Sequence, residues 1–141
     1  GRSMVNAAVE AMPQTFITGV TILTSLSEED VTEVGYASSA LNSAVGLAKV
    51  AVAGGARAII CSPLEIAAVR AAVDAQPIII TPGVRPKEMV GGDDQKRTMT
   101  PEDAISAGAN LVVIGRPITQ SWSKGKNAMR ERAAEIGSTL I

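Results

Sequence analysis

Arg85 and Arg116 are the side chains of this sequence best suited to hold an anion. Each follows a glycine where an apolar run stops, in TPGVR (81–85) and in LVVIGR (111–116). Glycine lets backbone approach a ligand without a Cβ in the way, and a guanidinium offers a planar fork of donors that matches phosphate oxygens. An arginine in such a place helps neither a core nor a turn. Taken singly, either motif reads equally as a tight turn with a solvated arginine. Two of them at the ends of consecutive apolar runs point to one shared phosphate group. A charge-assisted hydrogen bond contributes about 1.5–3 kcal/mol, so two arginines with backbone donors would hold it firmly.

Other chemistries are poorly supplied. The sequence has no histidine, which removes His-based triads and His-ligated zinc or iron sites, and its one cysteine cannot build a thiolate cluster. Cys61 closes the apolar run AIIC and reads as a buried, reduced thiol. No His- or Cys-ligated metal site is expected.

The elements that must carry the two arginines are strands. Apolar runs rich in Ile and Val occupy residues 16–23, 58–61, 77–81 and 110–115. They are short and almost continuously apolar, as strands of a parallel sheet are. Helical segments alternate with them. An opening helix covers residues 1–12, a short one 27–34, and a longer one 38–53 closed by Gly54 and Gly55. Ser62, Pro63 and Glu65 form a capping-box start for a helix toward Val73, and Thr100, Pro101, Glu102 and Asp103 repeat that start ahead of a stop at Gly108. A last helix, residues 126–136, ends at Gly137. Residues 84–99 make a long polar loop, a length that usually serves function.

This alternation is βα architecture. Four such units can build an open sheet of flavodoxin or Rossmann type, or half of an eight-unit barrel, since a whole barrel needs roughly 250 residues. Neither G-x-G-x-x-G nor G-x-x-x-x-G-K-[ST] occurs, which favours the half-barrel. In barrels the site lies in loops after the strands, with phosphate often held after the last two.

Bulk composition agrees with one globular domain over residues 1–141. The chain is 46% hydrophobic with net charge -1, and its mean hydropathy is +0.22. Without a positive field, and with one Trp, one Tyr and one Phe for stacking, nucleic acid is an unsuitable partner. No apolar run reaches the roughly 18 residues of a membrane span, and no basic-then-apolar leader opens the sequence, so the chain reads as cytoplasmic with no membrane partner.

Five segments together resemble orotidine 5'-phosphate decarboxylase in its bacterial form: GVTILTS (19–25), AIICSPLE (58–65), ITPGVRP (80–86), GDDQKRTMTPEDAISAGA (92–109) and LVVIGRPIT (111–119). They stand in the family's order and spacing and cover nearly all of the chain. The resemblance implies an α/β fold of TIM (β/α)8-barrel type, of which this chain supplies about the last four βα units. It implies decarboxylation of orotidine 5'-monophosphate to UMP in pyrimidine biosynthesis, without cofactor. Thr24 is similar to the family's contact to the pyrimidine or its ribose phosphate, and Arg85, Gln95, Gly115 and Arg116 to its phosphate-side contacts.

The family's Lys-Asp-Lys-Asp array, including D-x-K-x-x-D, has no counterpart here. The nearest string, Asp94, Gln95, Lys96, Arg97, Thr98 and Met99, lacks the final aspartate and lies in a polar loop. The expectation is therefore a C-terminal half-barrel with no catalytic residue of its own, inactive alone, partnered by a missing N-terminal half and, as in the family, homodimeric. A stand-alone half-barrel that binds a phosphorylated ligand, and a related decarboxylase of sugar phosphates such as 3-keto-gulonate 6-phosphate, are the rival readings.

Overall fold

The computed structural model describes residues 1–89 and 97–140. Four strands, β1 (Thr18–Val20), β2 (Ala58–Ile60), β3 (Ile78–Thr81) and β4 (Leu111–Val112), form one parallel sheet in the order β1-β2-β3-β4. Open doubly wound sheets reverse their strand order at a switch point. Here every strand neighbours its predecessor, which is the winding of a barrel.

Seven α-helices accompany the strands: α1 (Arg2–Ala11), α2 (Glu28–Glu33), α3 (Ala40–Ala53), α4 (Ile66–Val73), α5 (Pro101–Ser106), α6 (Arg116–Thr119) and α7 (Lys126–Ser138). The starts of α4 and α5 follow the sequence signals. Ser62 and Glu65 close a capping box ahead of α4, Ser27 and Asp30 close another ahead of α2, and the Thr100 side chain accepts from the Asp103 amide at the start of α5. Each satisfies amides that the first helical turn leaves without partners. Gly108, at φ +108, takes the left-handed conformation just beyond α5.

Boundaries depart from the sequence reading at three places, one of them β4, which spans only Leu111–Val112 of the run at residues 110–115. α7 continues through Gly137 to Ser138, because buried Ile136 anchors its last turn and a glycine in a helical frame costs only about 1 kcal/mol. The apolar run at residues 16–23 yields a strand of three residues, for Phe16 lies outside the sheet with its ring under the Arg57 guanidinium, 4.1 Å away.

The two faces of the sheet are unlike. Gly19, Ile59 and Ile79 are register partners facing the helices, and Ile59, Cys61 and Ile79 join Ala48, Ala51, Ile66, Val69 and Val73 in the main core. A Cβ on Gly19 would lie 2.5 Å from the Ala51 Cβ, so α3 approaches β1 at a distance that only glycine permits. On the opposite face run the register partners Val20, Ile60, Ile80 and Leu111. Val20 and Leu111 are each 54% exposed and Val113 is 48% exposed. The continuously apolar strands, read as covered on both faces, are fully covered among the described residues on one only. No helix among the described residues is long and apolar enough to cross a membrane.

Candidate functional site

Thr81 on β3 and Val112 on β4 are register partners. Arg85 and Arg116 each lie four residues beyond their member of that pair, so both leave the sheet at one end, from adjacent strands. The chain after β3 is held tightly there. The Arg85 amide donates to the Met99 carbonyl at 2.9 Å, Val84 pairs with Met99 in a parallel bridge, and Arg85 itself is 4% exposed. Its Nη1 donates to the Val84 carbonyl at 2.9 Å. Arg116 is half-buried and opens α6, with Gly115 at the cap position and Pro117 following.

The two glycines serve different ends. Gly83 has φ +77, and a Cβ there would lie 3.1 Å from the Arg97 carbonyl oxygen and 3.3 Å from Thr24 Cγ2. Both conformation and space demand glycine. Gly115 has φ -96, and a Cβ on it would meet nothing within 4 Å. Packing does not explain glycine at that position.

Thr24 is 8% exposed and sits just past the end of β1 against Gly83. Thr24, Gly83 and Arg85 are thus gathered at the mouths of β1 and β3, and Gly115 and Arg116 stand at the mouth of adjacent β4. Gln95 lies outside the described residues.

A buried ion pair at the same end escaped the sequence reading. Arg97 Nη1 bonds to Glu65 Oε1, while Arg97 Nη2 donates to the Leu23 carbonyl at 2.7 Å and to the Ile22 carbonyl at 3.4 Å. Glu65 is 1% exposed, and its other oxygen accepts from the Ser62 amide at 3.0 Å. Burial raises the Glu65 carboxyl above its ordinary range, and the Arg97 charge and the Ser62 amide pull it back. The S-x-x-E capping signal marked Glu65 for a helix start. Nothing local marked its partner, 32 residues away. Cys61 lies beside this pair, 1% exposed, its thiol pushed up to about 12 by burial first and then by the Glu65 charge.

A singly wound parallel sheet with arginines on the loops that follow two adjacent strands defines a protein of the (β/α)-barrel class. Residues 1–131 match the family model described as Orotidine 5'-phosphate decarboxylase / HUMPS family. The chain belongs to that family.

Among its relatives, the orotidine 5'-phosphate decarboxylase of Thermobifida fusca is 50% identical over 139 residues, which are 99% of this chain and 59% of that protein. The orotidine 5'-phosphate decarboxylase of Opitutus terrae is 45% identical over 122 residues, 84% of this chain and 53% of that protein. The crystal structure of orotidine 5'-phosphate decarboxylase from Lactobacillus acidophilus superposes with a TM-score of 0.75 at 29% identity, covering 99% of this chain and 59% of that one. The chain therefore spans little more than half the length of the relatives it matches.

Proposed function

We infer that this chain supplies the phosphate- and pyrimidine-binding part of an orotidine 5'-monophosphate decarboxylase, with Arg85, Gly115 and Arg116 on the phosphate and Thr24 on the pyrimidine or ribose. The observation that carries this is the register of the two arginines, each four residues past one pair of β-partners. The open space at Gly115 supports it, because a glycine that no packing contact requires fits a site where ligand comes close to backbone. The names of the relatives supply the nucleotide.

In this reading the grip on the phosphate, far from the bond that breaks, is used to stabilise the transition state. Arg85 and Arg116 hold the anionic end and Thr24 orients the base. The proton that replaces carbon dioxide at C6 comes from a lysine within the family's Lys-Asp-Lys-Asp array, which this sequence does not contain. The active protein is a cytoplasmic homodimer in which these residues work beside that array.

Two assays test the reading together. Titration with UMP, and separately with a pentulose phosphate, should show binding that prefers the nucleotide. A decarboxylation assay on the 141 residues should give no turnover above background. Equal or tighter binding of the sugar phosphate would move the assignment to a sugar-phosphate decarboxylase. Turnover by the isolated chain would overturn the account of the missing acid.

A further inference from the structure

We propose that Arg97 is a positioning residue, held by Glu65, that sets the spacing between Thr24 and Arg85. The proposal deepens the phosphate reading above and rests on it for its ligand. Arg97 touches three strand ends at once. Its guanidinium takes the Leu23 and Ile22 carbonyls beyond β1 and the Glu65 carboxylate beyond β2. Its own carbonyl packs against Gly83 beyond β3, and two residues later Met99 accepts the Arg85 amide. The residue after Leu23 is Thr24. One residue, through its side chain on one side and its backbone on the other, therefore joins the segment that carries Thr24 to the segment that carries Arg85.

Glu65 makes this possible. A guanidinium whose side chain is 13% exposed requires a counter-charge, and Glu65 is fixed in place by its own helix-capping bond to Ser62. Pairing also neutralises the Arg97 charge within the protein. A lysine could keep the charge beside Glu65, but its single ammonium lacks the fork that reaches carboxylate and carbonyl together.

The test is Arg97→Lys in the 141-residue chain, read by amide hydrogen exchange without ligand. The expected result is exchange about tenfold faster at Arg85, which donates to Met99, and at Leu26, which donates to the Leu23 carbonyl that Arg97 shares, with Ile78 at the far end of the sheet unchanged. Acceleration everywhere, or at neither amide, overturns the proposal. If Arg97→Lys does not fold, Glu65→Gln, which keeps an acceptor oxygen for Arg97, should give the same local pattern to a smaller degree, and a uniform change overturns the idea again.

A UMP titration forms the second arm. Arg97→Lys should weaken binding about tenfold, and Thr24→Ala should cost less affinity in that background than in the parent, because the two act through one placement. Strictly additive losses overturn the coupling. Failure of the parent chain to bind UMP would sink the phosphate reading, while the exchange result still decides whether Arg97 ties the strand mouths together.

Discussion

Thr24 and Gly83 pack directly across the mouths of β1 and β3, so closely that a Cβ on Gly83 would come to 3.3 Å from Thr24 Cγ2. The contact joins segments 59 positions apart in sequence, and it fixes how far the β1 loop stands from the loop of Arg85.

Gly83→Ala and Gly115→Ala should consequently separate stability from binding. The first forces a side chain into the left-handed region and against the Arg97 carbonyl, and should destabilise the chain by about 1–3 kcal/mol. The second should leave stability within about 0.5 kcal/mol while lowering UMP affinity. Urea unfolding and UMP titration on both variants measure the two effects. A Gly115→Ala protein with parental affinity would remove glycine's role at the phosphate.

Arg85→Ala and Arg116→Ala should each weaken UMP binding by about 1.5–3 kcal/mol, roughly ten- to a hundredfold, and change uridine binding little. The ratio of UMP to uridine affinity is the informative quantity. A loss shared equally by both ligands would place these arginines away from the phosphate.

Cys61 should be inert to thiol reagents at pH 8 in the folded chain and react at once in denaturant, since its thiol is buried and pushed up to about 12. The same shift predicts a pH dependence. The folded thiol keeps its proton above the ordinary value of 9.0, where the unfolded thiol has lost it, so the contribution is complete below about pH 9 and is lost as pH rises toward 12. Between pH 8 and 10 the parent should lose about 1 kcal/mol more stability than Cys61→Ala. Parallel stability curves for the two proteins would contradict a protected thiol.

Gly19→Val should destabilise by overpacking, by about 1–3 kcal/mol or more, because the space beyond Gly19 is filled by Ala51 of α3. A combined Gly19→Val, Ala51→Gly variant should recover part of the loss. No recovery would mean that the close approach of helix and strand is not what glycine permits.

Much of the fold was legible because its signals are local. The Ile- and Val-rich runs marked β2, β3 and β4, and Ser62, Thr100, Gly55 and Gly108 marked helix ends by chemistry that acts within four residues. The short helix α6 went unread although Gly115, Arg116 and Pro117 carry a start signal, since the apolar run before them drew the reading toward a strand and a loop. Thr24 was singled out only through family resemblance, a strand-end threonine being otherwise unremarked. The Glu65–Arg97 pair depends on tertiary placement, and no spacing rule could have joined residues so far apart.

The row of Val20, Ile60, Ile80 and Leu111, exposed at its two ends and half-buried between them, has a thermodynamic corollary. Any molecule that settles on those side chains binds the folded form and not the unfolded one, and so shifts the folding equilibrium by mass action. With such a molecule bound, the melting temperature of this chain would be no fixed constant and would rise with that molecule's concentration.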